Sequence, residues 1–253
     1  MNIQKLTSLA KSAKTRSIVS LFYKKERING FSLSTPHLYL DYSKQNITEI
    51  ELVKLIEIAE EVGLSESINN QFDGDKINNT EGRSVLHTVL RAPQGVKKQV
   101  LGETLAVEVE TTEQQMAKIV EDVQTGVLTG YTGQRFTDVL AIGIGGSYYG
   151  VKVSLSALEH YRDLALSVHV IANVDGGALE EKLKKLNVET TLVVVISKTF
   201  TTQETMLNAK AVKQWMLSCE SVADSKLNNV PQIFDKQWFA VSSNIEAVKS
   251  FGI

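Results

Sequence analysis

From Phe136 onward the chain alternates between short, almost uninterrupted apolar runs and longer stretches with helical spacing, and no other feature limits its fold so tightly. Four runs read as strands: Val139–Ile144, Val168–Ala172, Leu192–Ile196 and Trp238–Val241. Helical stretches separate them over 147–160, 177–186 and 202–219, and another follows over 244–251. A strand that is apolar at nearly every position is buried on both faces, and strand–helix–strand alternation joins such strands in parallel. Residues 136–253 are therefore expected to form an α/β domain, a parallel sheet flanked by helices.

Residues 1–135 read as a mainly helical N-terminal region. Residues 1–30 carry apolar residues at helical spacing, with one or two breaks. Thr48 and Glu51 have the spacing of a capping box ahead of an apolar stripe of Leu52, Leu55, Ile56 and Ala59, and Gly63 ends that helix. A second helix is expected over 111–129, with Met116, Ile119, Val120 and Val123 inward. Val85, Leu86, Val89 and Leu90 form one face of a short helix that Pro93 stops. His87, Arg83 and Arg91 on this helix are candidates for function, against a reading in which His87 is a hydrogen-bonded core residue. Phe31–Leu40 reads as extended chain and 70–79 as a surface loop.

Chemistry concentrates where two strands end. The third run passes from Val193, Val194, Val195 and Ile196 into Ser197, Lys198, Thr199, Thr201 and Thr202, then into a helix through Gln203, Glu204, Met206 and Leu207. The first turn of a helix has free N–H groups and a positive dipole end, so hydroxyls and a lysine placed there suit an anion. Thr201 or Thr202 acting only as a helix cap is the competing explanation. The first run enters a glycine-rich turn, Gly143-Ile144-Gly145-Gly146-Ser147, where the backbone can approach a ligand. A dinucleotide fingerprint counted from Gly143 and Gly145 would need a glycine at Tyr148. A P-loop counted from Gly145 to Gly150 would need Lys then Ser or Thr, where Val151 and Lys152 stand. Both nucleotide patterns fail at their defining residues. With strand order 2-1-3-4, the flavodoxin-like order, the two loops meet at the switch point where open parallel sheets bind ligands. A sugar phosphate fits that crevice better than a nucleoside triphosphate.

Composition narrows the partners. Lys and Arg number 27 against 29 Asp and Glu, for a net charge of −2, so no basic excess points to nucleic acid. No apolar run is long enough for a membrane span. One cysteine, Cys219, excludes an internal disulfide framework and suits a reducing, cytoplasmic setting. The four histidines, 37, 87, 160 and 169, show no metal-binding spacing, so no metal site is expected.

Three ordered segments resemble glucose-6-phosphate isomerases: Asn79-Thr80-Glu81-Gly82-Arg83-Ser84-Val85-Leu86-His87, Gly143–Ser147, and Ser197-Lys198-Thr199-Phe200-Thr201-Thr202-Gln203-Glu204-Thr205. Phe239–Asn244 fits as well. The resemblance implies a sugar-isomerase fold and interconversion of glucose 6-phosphate and fructose 6-phosphate through an enediol. It implies no metal or cofactor, and a homodimer for the whole protein. Carried over by residue, the phosphate cradle falls on Ser197, Lys198, Thr199 and Thr202, with Gly146 and Ser147 lining the sugar side. The family's catalytic glutamate, arginine, lysine and histidine have no counterpart before Ile253. The chain is therefore expected to be the N-terminal part of an isomerase, inactive alone, with its last strand an edge prone to self-association. A non-catalytic sugar-phosphate sensor is the alternative, although the chain has no basic helix-turn-helix region.

Overall fold

The computed structural model describes residues 3–161, 165–219 and 229–253. The chain divides into two compact units, Met1–Thr112 and Glu113–Ile253.

The first unit begins with helices α1 (Ile3–Lys14), α2 (Ile18–Leu21) and α3 (Arg27–Gly30), then an antiparallel hairpin of β1 (Ser32–Ser34) and β2 (Tyr39–Asp41). Helices α4 (Glu49–Glu61), α5 (Leu64–Asp73) and α6 (Gln94–Leu101) follow, and α7 (Glu103–Thr125) runs from this unit into the next. Buried polar anchors organise it. The Arg27 guanidinium is buried, donates to the carbonyls of Ser43, Gln45 and Ile47, and lies 3.5 Å from the centroid of the Phe31 ring. The capping box forms as expected: Thr48 Oγ1 accepts from the Glu51 N–H, and Glu51 Oε2 accepts from the Thr48 N–H at 2.7 Å. Glu51 also receives both Arg16 guanidinium nitrogens and the Ser12 hydroxyl. The Arg16 bond above all holds its carboxyl down at about 2.

That anchor corrects the expected apolar stripe. Glu51 is turned inward, so the buried face of α4 is that of Glu51 and Ile58, one heptad apart, while Leu55 and Ile56 are exposed. Met116 and Val120 of α7 are likewise exposed rather than inward. The short helix at 85–90 shrinks to a 3₁₀ turn, Val89–Arg91, with Val89 buried and Leu90 exposed. His87 is exposed, so it is not a core residue. Helix α5 covers Asn70–Asp73, part of the stretch read as a surface loop.

The second unit contains a four-stranded parallel sheet of β3 (Asp138–Ile142), β4 (Ser167–Ile171), β5 (Thr191–Ile196) and β6 (Trp238–Val241). Its order, β4-β3-β5-β6, is the expected 2-1-3-4 arrangement. The connecting helices are α8 (Gly146–Ala157), α9 (Gly176–Leu183), α10 (Gln203–Ser218) and α11 (Asn229–Gln237), and α12 (Ile245–Phe251) follows β6. Right-handed crossovers put α8 on one face of the sheet, and α9 and α10 on the other. Leu140, Ile142, Val193 and Val195 are fully buried, as are Ala209, Val212 and Met216 on the inner face of α10.

One buried amide pins the foot of this sheet. Gln237, wholly inaccessible just before β6, donates through Nε2 to Val188 O at 2.7 Å and Thr191 O at 2.8 Å, and accepts from the Tyr131 N–H at 3.0 Å. Three elements distant in sequence thus share one side chain, which fixes where β6 starts against β5.

Candidate functional site at the carboxyl ends of the strands

Register brings the candidate loops together. Ile142 lies level with Val195, and Ile196 with Val241, so β3, β5 and β6 end nearly side by side. A Cβ on Gly143 would stand 3.0 Å from Ser147 Cβ and 3.2 Å from Ile196 O, so a side chain there would push the β3 turn away from β5 by a few tenths of an ångström. Gly145 then takes φ 57°, ψ −120°, a backbone region essentially reserved for glycine, and starts α8 without any side-chain cap. Gly146 and Gly145 are exposed, with open space where their side chains would be. Ser147 is half-buried in the first turn of α8, its N–H bonded to Ile144 O.

Beside this turn, the loop from Ser197 to Thr202 is closed on itself. Ser197 is buried, and its Oγ accepts the Phe200 N–H at 3.1 Å and lies 3.4 Å from Thr202 Oγ1. Thr199 and Thr201 share a hydrogen bond between hydroxyls at 2.7 Å. Thr202 stands at the N-cap of α10, yet its side chain makes no capping bond. Thr201 and Thr202 therefore do not cap the helix, and the first-turn N–H groups of α10 are left to another acceptor.

The carbonyls of this loop point elsewhere. Lys198 O accepts from the Ser243 N–H, the Ser243 hydroxyl at 2.7 Å and the Ser242 hydroxyl at 3.1 Å, while Thr199 O accepts from Asn244 Nδ2 at 3.0 Å. With the Lys198 and Thr199 carbonyls taken up, the loop carries more donors than open acceptors: backbone N–H groups, hydroxyls and the exposed Lys198 side chain. Helix α10 adds the positive end of its dipole. An arrangement of donors at a helix start, beside a glycine turn that a ligand can approach closely, is chemistry for an oxyanion.

All six sequence-derived candidates, Gly146, Ser147, Ser197, Lys198, Thr199 and Thr202, lie on these two neighbouring loops. Gly146, Lys198 and Thr199 are exposed, Ser147 and Thr202 half-buried, and Ser197 buried within the loop. The segment Ser242–Asn244 carries no role in the sequence reading, yet it holds the loop from outside. Its signal was a Ser-Ser-Asn run after a strand, where Asn244 caps α12 by accepting the Ala247 N–H. Phe200 likewise has no role in the sequence reading. Among the described residues it is the one non-glycine with positive φ, 55°, a conformation that costs an L residue about 1–2 kcal/mol.

A profile of the family described as phosphoglucose isomerase matches residues 41–253. The chain is 82% identical over its 253 residues to glucose-6-phosphate isomerase 2 of Colwellia psychrerythraea, spanning 46% of that protein. It is 43% identical over 229 residues to the glucose-6-phosphate isomerase of Shewanella loihica, covering 90% of this chain and 40% of that one. Among solved structures, a glucose-6-phosphate isomerase from Chlamydia trachomatis superposes with a TM-score of 0.68 at 26% identity, over 94% of this chain and 44% of the other. The chain thus spans somewhat less than half the length of these relatives.

Proposed function

The chain belongs to the phosphoglucose isomerase family, and from that premise we propose that it holds the phosphate of a hexose phosphate during aldose–ketose isomerisation. The proposed substrates are glucose 6-phosphate, which the relatives' names carry, and its ketose isomer fructose 6-phosphate. The observation that carries this reading is the loop from Ser197 to Thr202. Its carbonyls at Lys198 and Thr199 accept from Ser242, Ser243 and Asn244, and its hydroxyls at Thr199, Thr201 and Thr202 stand just before the first turn of α10. In this reading Thr199 and Thr202 donate hydroxyl bonds to the phosphate oxygens, Lys198 offsets its charge, and Ser197 keeps the loop closed from beneath. Gly146 and Ser147 bound the sugar side.

Holding the phosphate anchors the substrate and leaves C1 and C2 for acid–base chemistry elsewhere. Proton transfer between those carbons needs a base within about 3 Å of the proton. The two loops supply hydroxyls, amides and an ammonium. The proposal therefore puts the carboxylate and imidazole of the reaction in the part of the relatives' length that this chain does not span. In this reading the 253-residue chain binds substrate phosphate without turning it over, and the family resemblance extends the proposal to a cytoplasmic homodimer for the whole protein.

The test is Thr199→Ala with Thr202→Ala in the full-length enzyme. Hydrogen bonds to a charged group are worth about 1.5–3 kcal/mol each, so KM for glucose 6-phosphate should rise at least tenfold. An unchanged KM would overturn the phosphate role.

A further inference from the structure

The phosphate loop has a left-handed phenylalanine at its centre, and that residue is built into the core. A bulky residue at positive φ is an outlier that persists only when its surroundings over-determine it. The surroundings of Phe200 do so from two sides. Its N–H is bonded to Ser197 O and Ser197 Oγ, which closes the turn. Its ring is 4% exposed and meets the Phe251 ring edge-on, with centroids 5.8 Å apart at 79°.

Phe251 is in turn fixed from behind. It lies against Trp238 at 6.1 Å, its carbonyl accepts from Lys213 Nζ at 2.8 Å, and the same ammonium sits 4.8 Å from its ring centroid. Lys213 belongs to α10, the helix whose first turn follows the loop, and Phe251 ends α12, the helix that Asn244 caps. The loop is therefore held at its carbonyls by the start of the β6–α12 segment, and at its ring by the end of that same segment.

Taking the phosphate role of the loop as its premise, we infer that Phe200 is a positioning residue. Its buried ring, seated on Phe251, keeps the Lys198 and Thr199 carbonyls turned away and the donors turned toward the ligand. The ring itself touches no substrate.

Phe200→Gly and Phe251→Leu, each in the 253-residue chain, test this. Phe200→Gly removes the ring and, because glycine accepts φ 55° freely, the strain with it, whereas Phe251→Leu removes the seat and leaves the loop's own residues unchanged. Three readouts are taken: melting temperature, hydrogen exchange at the amides of Phe200, Met206 and Ser243, and affinity for inorganic phosphate and glucose 6-phosphate by calorimetry. If the loop holds its binding shape only a tenth of the time, apparent affinity falls roughly tenfold. The expected result is that drop for both ligands, with faster exchange at those three amides and unchanged exchange along β5. Wild-type affinity and exchange in a folded Phe200→Gly protein would overturn the inference. If Phe200→Gly does not fold, the same result in Phe251→Leu overturns it. A wild-type chain that binds no phosphate, yet shows the exchange difference on losing the ring, defeats the phosphate reading and leaves the ring's hold on the loop standing.

Discussion

Replacing Gln237 by glutamate changes one nitrogen to oxygen at a site with no solvent access. The amide now donates to two carbonyls, Val188 O and Thr191 O, and accepts one N–H, from Tyr131. An ionised carboxylate there would face both carbonyls with no donor, so the folded variant must keep its acid protonated. A protonated carboxyl has one O–H, which serves one carbonyl and orphans the other, at about 1–3 kcal/mol. Holding the proton at pH 7 against an ordinary value of about 4.3 costs about 4 kcal/mol more. The variant's folded state binds a proton that the unfolded chain releases, so its stability falls as pH rises above about 4.3. The expected loss is about 5 kcal/mol at pH 7, shrinking to about 1–3 kcal/mol near pH 4, a large part of a typical domain's stability. Urea denaturation at both pH values measures it, each time relative to wild type at the same pH. Gln237→Met, which also empties the hydrogen bonds but cannot ionise, should lose stability equally at both. A Gln237→Glu protein with wild-type stability at pH 7, or with the same deficit at both pH values, would refute this account of how β6 is registered on β5.

Further outcomes follow from the same geometry. The Glu51 carboxyl, held at about 2 by Arg16, contributes stability that is complete above its ordinary value of 4.5 and is lost as pH falls toward about 2. Screening at this partly solvated pair reduces the contribution to about 1–2 kcal/mol, and Glu51→Gln should flatten the acid limb of the first unit's unfolding curve by that amount. Gly130→Ala would put a methyl carbon 2.0 Å from Glu189 O, and chemical denaturation should show a loss of at least about 3 kcal/mol. Burial raises the Cys219 thiol above its ordinary pKa, so iodoacetamide at pH 8 should label it more slowly than it labels free cysteine.

The second unit was legible because its signals are strong and local. Runs such as Val193–Ile196, apolar at every position, have one stable use, and glycines at 143–146 mark a strand-to-helix turn. The strand order expected is the common flavodoxin-like one, and the sheet has it. The first unit was harder to read because its order rests on polar anchors. Glu51 is turned inward by Arg16, and no periodicity announces an inward carboxylate, so of the expected stripe only Leu52 and Ala59 are half-buried while Leu55 and Ile56 are exposed. The end of α5 is rich in Asn and Gln and imitates a loop. At the site, hydroxyls and glycines advertised themselves by type. The clamps from Ser242–Asn244 come from 45 residues away for Ser243–Lys198, and the left-handed backbone at Phe200 belongs to a residue type that rarely adopts it. Neither has a local signature.

The central claim is that the loops after β3 and β5 together bind phosphate. Titrating inorganic phosphate and glucose 6-phosphate into the isotope-labelled chain, and following amide shifts by NMR, tests it directly. The account predicts saturable shifts at Gly146, Ser147 and Lys198–Gln203, with the amides at the foot of the sheet, Tyr131 and Thr191, unmoved. Saturable shifts elsewhere, or none at these positions at millimolar ligand, would contradict it.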